Sequence, residues 1–82
     1  MKINPLVEKS AQELINMMEA SLSEVRISLL KIDDSKLLRN LIKIQKSNVE
    51  NVYIEFNGVS DEKIARLRDL KKEYLLLFSL YE

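Results

Sequence analysis

Apolar residues recur along this chain at helical spacing. In the first third they read Ala11, Ile15, Met18, Leu22, Val25, Leu29 and Ile32, with intervals of 4-3-4-3-4-3. That rhythm keeps one side of a helix apolar and excludes a strand, whose period is two. Val7 and Leu14 widen the stripe. Asn4-Pro5 supplies the start: Asn caps well, and Pro suits the first helical position because its missing N–H has no partner there anyway. Asp33-Asp34-Ser35 stops this helix and caps the next. The second stripe is Leu38, Leu41, Ile42, Val49, Val52, Tyr53 and Phe56, with Gln45 in its middle. The third is Ile64, Leu67, Leu70, Tyr74, Leu77, Phe78 and Tyr81, behind Ser60 as cap and Asp61-Glu62 in the first turn.

The pattern predicts helices over about 5–32, 35–57 and 61–81. Residues 49–56 also fit a strand, being β-branched and aromatic and followed by Asn57-Gly58. Only Val59 separates Gly58 from the next cap, so no return strand exists. The helical reading then uses Asn57-Gly58 as a C-terminus. Two short connections make neighbours antiparallel. The fold class expected is all-α: a single domain over 1–82, an up-down-up three-helix bundle with a long first helix of about 42 Å. An open hairpin completed only in a dimer is the alternative.

The stripes leave apolar residues over. Met17, Ala20, Ile27 and Leu30 point away from the first stripe, Leu37 and Ile44 lie beside the second, and Leu76 and Leu80 are off the third. The run 74–81 is apolar nearly all round, which in so small a domain cannot all be covered from within. Leu75, Leu76, Leu80 and Tyr81, with Ile27 and Leu30, are therefore the candidate protein interface, facing a larger subunit or a second copy. Scattered exposed leucines around a thick core are the plainer alternative.

Charge adds a second candidate. Lys36, Arg39, Lys43 and Lys46 line one face of the second helix at 3-4-3 spacing, against the preference of a helix start for acids. Ion pairs with Glu13, Glu19 or Glu24 of the first helix would compensate, and so would solvation; phosphate contact is the functional alternative. A further basic group, Lys63, Arg66, Arg68, Lys71 and Lys72, is interspersed with Asp69 and Glu73. Thirteen basic and thirteen acidic residues leave no net charge to steer the chain toward a polyanion or an anionic membrane. No short second helix with a tight Gly-containing turn marks a helix-turn-helix.

Composition closes off most chemistry. There is no Cys, His or Trp, and one Gly and one Pro. Thiol nucleophiles, thiolate zinc sites, imidazole bases and glycine-rich phosphate loops are excluded. Asp33-Asp34 and Asp61-Glu62 stand at helix starts, where capping accounts for them. No cofactor, metal or small-molecule substrate is expected, and no enzyme activity. No signal peptide or run of about 18 apolar residues occurs, so membrane association is not expected and a cytoplasmic, intracellular protein is. The Lys, Glu, Leu and Ile content without Cys is compatible with a thermophile. Gln45 is either a register-setting polar group in an apolar seam or a half-exposed residue at a stripe edge.

Two runs, Ser23-Glu24-Val25-Arg26-Ile27-Ser28-Leu29-Leu30-Lys31-Ile32 and Glu73-Tyr74-Leu75-Leu76-Leu77-Phe78, resemble in type the small helical accessory subunits of crenarchaeal B-family DNA polymerase holoenzymes. The resemblance implies a non-catalytic subunit that docks on a large enzyme of DNA replication and stabilises it. It carries no site residue across. A non-catalytic adaptor or accessory subunit is thus the leading expectation, and a dimeric nucleic-acid-binding regulator using Lys36, Arg39, Lys43 and Lys46 is the rival.

Overall fold

A computed structural model describes residues 2–81. It contains three helices, α1 (Pro5–Lys31), α2 (Ser35–Glu50) and α3 (Asp61–Tyr81), in an up-down-up bundle 48 Å long and about 15–17 Å across. Both α1 and α2 pack on α3, while α1 and α2 approach each other only slightly. The six predicted stripe residues Ala11 to Leu29 are all buried, as are Leu67, Leu70, Tyr74 and Phe78 of α3. Tyr74 and Phe78 are the largest fully buried side chains, and their rings lie 5.9 Å apart.

The caps follow the local chemistry. Asn4 Oδ1 accepts the Leu6 N–H at 3.0 Å, with Pro5 opening α1. Asp34 Oδ1 accepts the N–H groups of Lys36 and Leu37 at 2.9 and 3.2 Å, so the three-residue link 32–34 both ends one helix and starts the next. Such a short link forces α2 back along the bundle.

The second helix differs from expectation. It ends at Glu50, not near residue 57, and the chain continues as an extended segment. In that segment Val52, Ile54 and Phe56 are half-buried against the core, and Tyr53, Glu55 and Asn57 are exposed. Burial therefore alternates with period two, the pattern of a strand, although no strand is paired among the described residues. The physical reason is reach. Sixteen helical residues cover about 24 Å, while α3 runs for about 31 Å and α1 for about 40 Å. An extended chain at about 3.3 Å per residue covers the remaining flank with few residues. Asn, Val, Tyr, Ile and Phe, all modest helix formers, give little resistance.

Gly58 ends the extended segment with φ +85°, so the left-handed conformation predicted there is present but closes no helix. Its carbonyl accepts the Asn4 N–H at 2.7 Å. A Cβ on Gly58 would stand 2.9 Å from Asn4 Cβ and 3.2 Å from Asn4 N. Glycine is required twice over, by backbone angle and by the approach of residue 4. Val59, next to it, is buried.

Candidate functional site

Three helices make three seams, and each has its own chemistry. The α1–α3 seam carries the charged cross-links. Glu8 accepts from the Ser60 N–H at 2.8 Å, the Ser60 hydroxyl at 2.7 Å and Lys63 Nζ at 2.8 Å. The Lys63 ammonium, then Ser60, hold the Glu8 carboxyl down to about 2. Glu8 thereby fixes the start of α3 from another helix. Ser60 precedes α3, and its carbonyl accepts from Ile64, but its hydroxyl is spent on Glu8. Farther along, Arg66 meets Glu19 at 3.1 Å and Arg26 meets Glu73 at 3.8 Å. Both pairs are about half exposed and count for little in stability; they set register. The buried cross-link is Tyr74, whose hydroxyl donates to the Met18 carbonyl at 2.7 Å.

The α1–α2 seam is open and mostly apolar. Because α1 and α2 scarcely touch, a groove of about 220 Å³ lies between them, with Leu14, Met17, Ser21, Gln45 and Val49 on its walls and Tyr74 at its floor. Gln45 is half-buried at the groove edge, which is the stripe-edge alternative.

The α2–α3 seam is basic. At one end Arg39, Ile42, Lys43 and Tyr81 surround a hollow of about 190 Å³. At the other, Glu50, Tyr53, Glu55, Arg68, Lys71 and Lys72 line a groove of about 510 Å³ beside half-buried Leu75. Lys36, Arg39 and Lys43 make no ion pair with Glu13, Glu19 or Glu24, and Glu19 is taken by Arg66, which leaves solvation for those three cations. The reason is topology, since α2 lies on α3 and not on α1. Lys36, Arg39, Lys43, Arg68, Lys71 and Lys72 form no ion pair among the described residues.

The six interface candidates do not share one face. Ile27, Leu30, Leu76 and Leu80 are exposed at the end where α1 and α3 finish; Leu30 is 81 % and Leu80 72 % exposed. Leu75 and Tyr81 turn instead to the basic seam. Leu37 and Ile44 of α2 are also exposed in this half of the bundle. Tyr53, placed on a core stripe by periodicity, is 84 % exposed. Glu8 escaped the sequence reading because a glutamate in a first turn is already accounted for by the helix dipole, and its partners lie 52 to 55 residues away.

Among the described residues no group of three or more acids could hold a metal ion, and no helix is long and apolar enough to cross a membrane. No family model, no curated protein and no solved structure matches this chain.

Proposed function

We propose that this protein is a non-catalytic helical accessory subunit that docks on a larger protein through the end of the bundle where α1 and α3 finish and α2 begins. One observation carries the reading. Of the eleven large apolar side chains exposed among the described residues, six belong to that half and stay clear of the basic seam: Ile27, Leu30, Leu37, Ile44, Leu76 and Leu80. A monomer gains nothing by leaving so many in water, and exposed apolar side chains gathered in one half of the bundle support an interaction site there.

The magnitudes set how many must act together. Covering one Leu or Ile contributes about 1.5–3 kcal/mol, whereas association costs about 4–15 kcal/mol in lost freedom. One or two leucines do not hold a partner; a cap over the whole end does. Leu30, Leu76 and Leu80 are the anchors, with Ile27, Leu37 and Ile44 around them. Leu75 is set aside as an anchor because it is half-buried beside the lysines of α3. The resemblance of runs 23–32 and 73–78 makes a replicative DNA polymerase assembly the first partner to try.

The test is co-purification of the tagged chain from its source cells, beside a Leu30→Glu, Leu76→Glu double variant. The expected result is a stoichiometric complex with one larger protein, lost in the variant while its helical circular dichroism is unchanged. A complex that survives both substitutions overturns this docking surface. A complex containing only copies of this chain overturns the accessory role.

A further inference from the structure

The two basic groups, far apart in sequence, are carried by two helices that pack on each other, α2 and α3. Lys36, Arg39, Lys43 and Lys46 are successive turns of one α2 face. The hollow of Arg39, Lys43 and Tyr81 lies between α2 and α3, and the groove of Arg68, Lys71 and Lys72 lies between α3 and the end of α2 with the segment that follows it, Glu50 to Glu55. The cations thus follow the α2–α3 seam over about 20 Å, given about 1.5 Å rise per helical residue between Arg68 and Tyr81. The pairs Lys63–Glu8, Arg66–Glu19 and Arg26–Glu73 join α3 to α1, away from α2. Two carboxylates, Glu50 and Glu55, stand in the same groove.

Among the described residues no ion pair relieves Lys36, Arg39 or Lys43, and Lys36 stands in the first turn of α2, where the Asp34 cap supplies the one carboxylate that contacts the helix start. Tyr53 adds a second oddity. It is 84 % exposed in the groove of Arg68, Lys71 and Lys72, so its ring contributes little to the core. Cations along a groove with an uncovered aromatic ring are the two parts of a single-strand site: the cations track phosphates, and the ring stacks on a base. A duplex keeps its base faces covered and has nothing for Tyr53 to stack on. A membrane would need apolar side chains standing out of this face, and the aliphatic residues that line its groove, Val52, Ile54 and Leu75, are half-buried.

We infer that the α2–α3 seam binds single-stranded nucleic acid, with Arg39, Lys43, Arg68, Lys71 and Lys72 on phosphates and Tyr53 stacked on a base. About 20 Å accommodates about six phosphates at the stacked spacing of about 3.4 Å. The inference stands apart from the docking reading, since it uses a different face and none of Leu30, Leu76 or Leu80.

Fluorescence anisotropy with a labelled twelve-nucleotide oligothymidylate tests it on the full chain. Five phosphate contacts give a slope near −3.5 in log–log salt dependence, or about a hundredfold weaker binding at 200 mM than at 50 mM salt. Arg39→Glu with Lys43→Glu, and separately Lys71→Glu with Lys72→Glu, are expected to weaken binding at least thirtyfold at 50 mM salt and to flatten the slope by about 1.4. Lys9→Glu with Lys31→Glu, the same charge change on α1, is expected to stay within about threefold. Tyr53→Ala is expected to lose at least fivefold without changing the slope. All the substituted side chains but Lys71, which is half-buried, are exposed, and circular dichroism checks each fold. Absence of binding at 50 mM salt overturns the inference. So does equal affinity for duplex of the same length with a silent Tyr53→Ala, or equal loss in the α1 control. Competition by polyglutamate as strong as by unlabelled oligonucleotide, or binding to anionic vesicles but not to the oligonucleotide, overturns it as well.

Discussion

Removing one oxygen from Tyr74 tests the packing of α3 on α1. The Tyr74 hydroxyl is buried and donates to the Met18 carbonyl at 2.7 Å, joining residues 56 apart in sequence. Tyr74→Phe keeps the ring, its contact with Phe78 and the volume of the core. What is lost is the bond to the Met18 carbonyl, along with the contact of the Ser21 hydroxyl with the phenol oxygen. The Met18 carbonyl lies inside α1 and keeps its helical N–H partner, so it is not orphaned. The net loss is therefore that of an ordinary bond, about 1 kcal/mol, and not the 1–3 kcal/mol of a stranded buried group. For a domain of this size about 1 kcal/mol lowers Tm by about 4–8 °C. Tyr53→Phe is the control, because an exposed hydroxyl leaves Tm within the scatter. pH supplies a second arm. Burial, helped by the nearby Glu24 carboxylate and opposed by the Ser21 hydroxyl, raises the Tyr74 phenol above its usual 10.0. The folded state then holds its proton more tightly than the unfolded chain. The stability this gives is present in full below pH 10 and is lost as pH rises through the folded value. The gap between wild type and Tyr74→Phe, measured by urea unfolding, is expected to be constant up to about pH 9 and to narrow above 10. A gap below about 0.3 kcal/mol at pH 7, or one that widens in alkali, refutes a buried, bonded Tyr74.

Glu8 behaves in the opposite sense: its carboxyl is held down to about 2, so its stabilisation is present above pH 4.5 and disappears as pH falls toward 2. In acid titrations followed by circular dichroism, Glu8→Gln is expected to be the less stable protein at pH 7 and to converge on wild type across that window. Gly58→Ala must force an L side chain to φ +85° against Asn4, and a loss of about 1–3 kcal/mol from the backbone alone is expected in thermal melts. Truncation after Lys72 removes buried Tyr74 and Phe78, each worth about 3–5 kcal/mol as a large aromatic cut from a core, and is expected to abolish the cooperative unfolding transition. Leu30→Glu and Leu76→Glu, on exposed side chains, are expected to change stability by no more than about 0.5 kcal/mol by urea unfolding.

Local signals in the chain carried the reading where local chemistry decides the outcome. The unbroken 4-3 spacing of Ala11 to Leu29 has no competing period, and Asn4 and Asp34 cap through atoms two or three residues away. Residues 49–56 satisfy two periods at once: 49, 52, 53 and 56 for a helix, and 52, 54 and 56 for a strand. The lack of a return strand favours the helix. That absence excludes a hairpin but not a lone extended segment that lengthens a short helix. Which period holds depends on how far α2 must reach along α3, a tertiary quantity. The same holds for charge. Lys36–Lys46 and Arg68–Lys72 read as separate rows, and only the placement of α2 on α3 joins them. Glu8 has no local sign of its reach to Ser60 and Lys63. The apolar surplus was visible as an excess over three stripes, but its division between the bundle end and the basic seam needed the helices in place.

The docking claim is met most directly by photo-crosslinking in the source cells, with a photoreactive amino acid placed in turn at Leu30, Leu76, Leu80 and, as a distant control on α1, Gln12. The expected result is one adduct, with the same larger protein, from the three leucine positions and none from Gln12. Adducts only between copies of this chain, no adduct at the leucines, or equal labelling at Gln12 would contradict it.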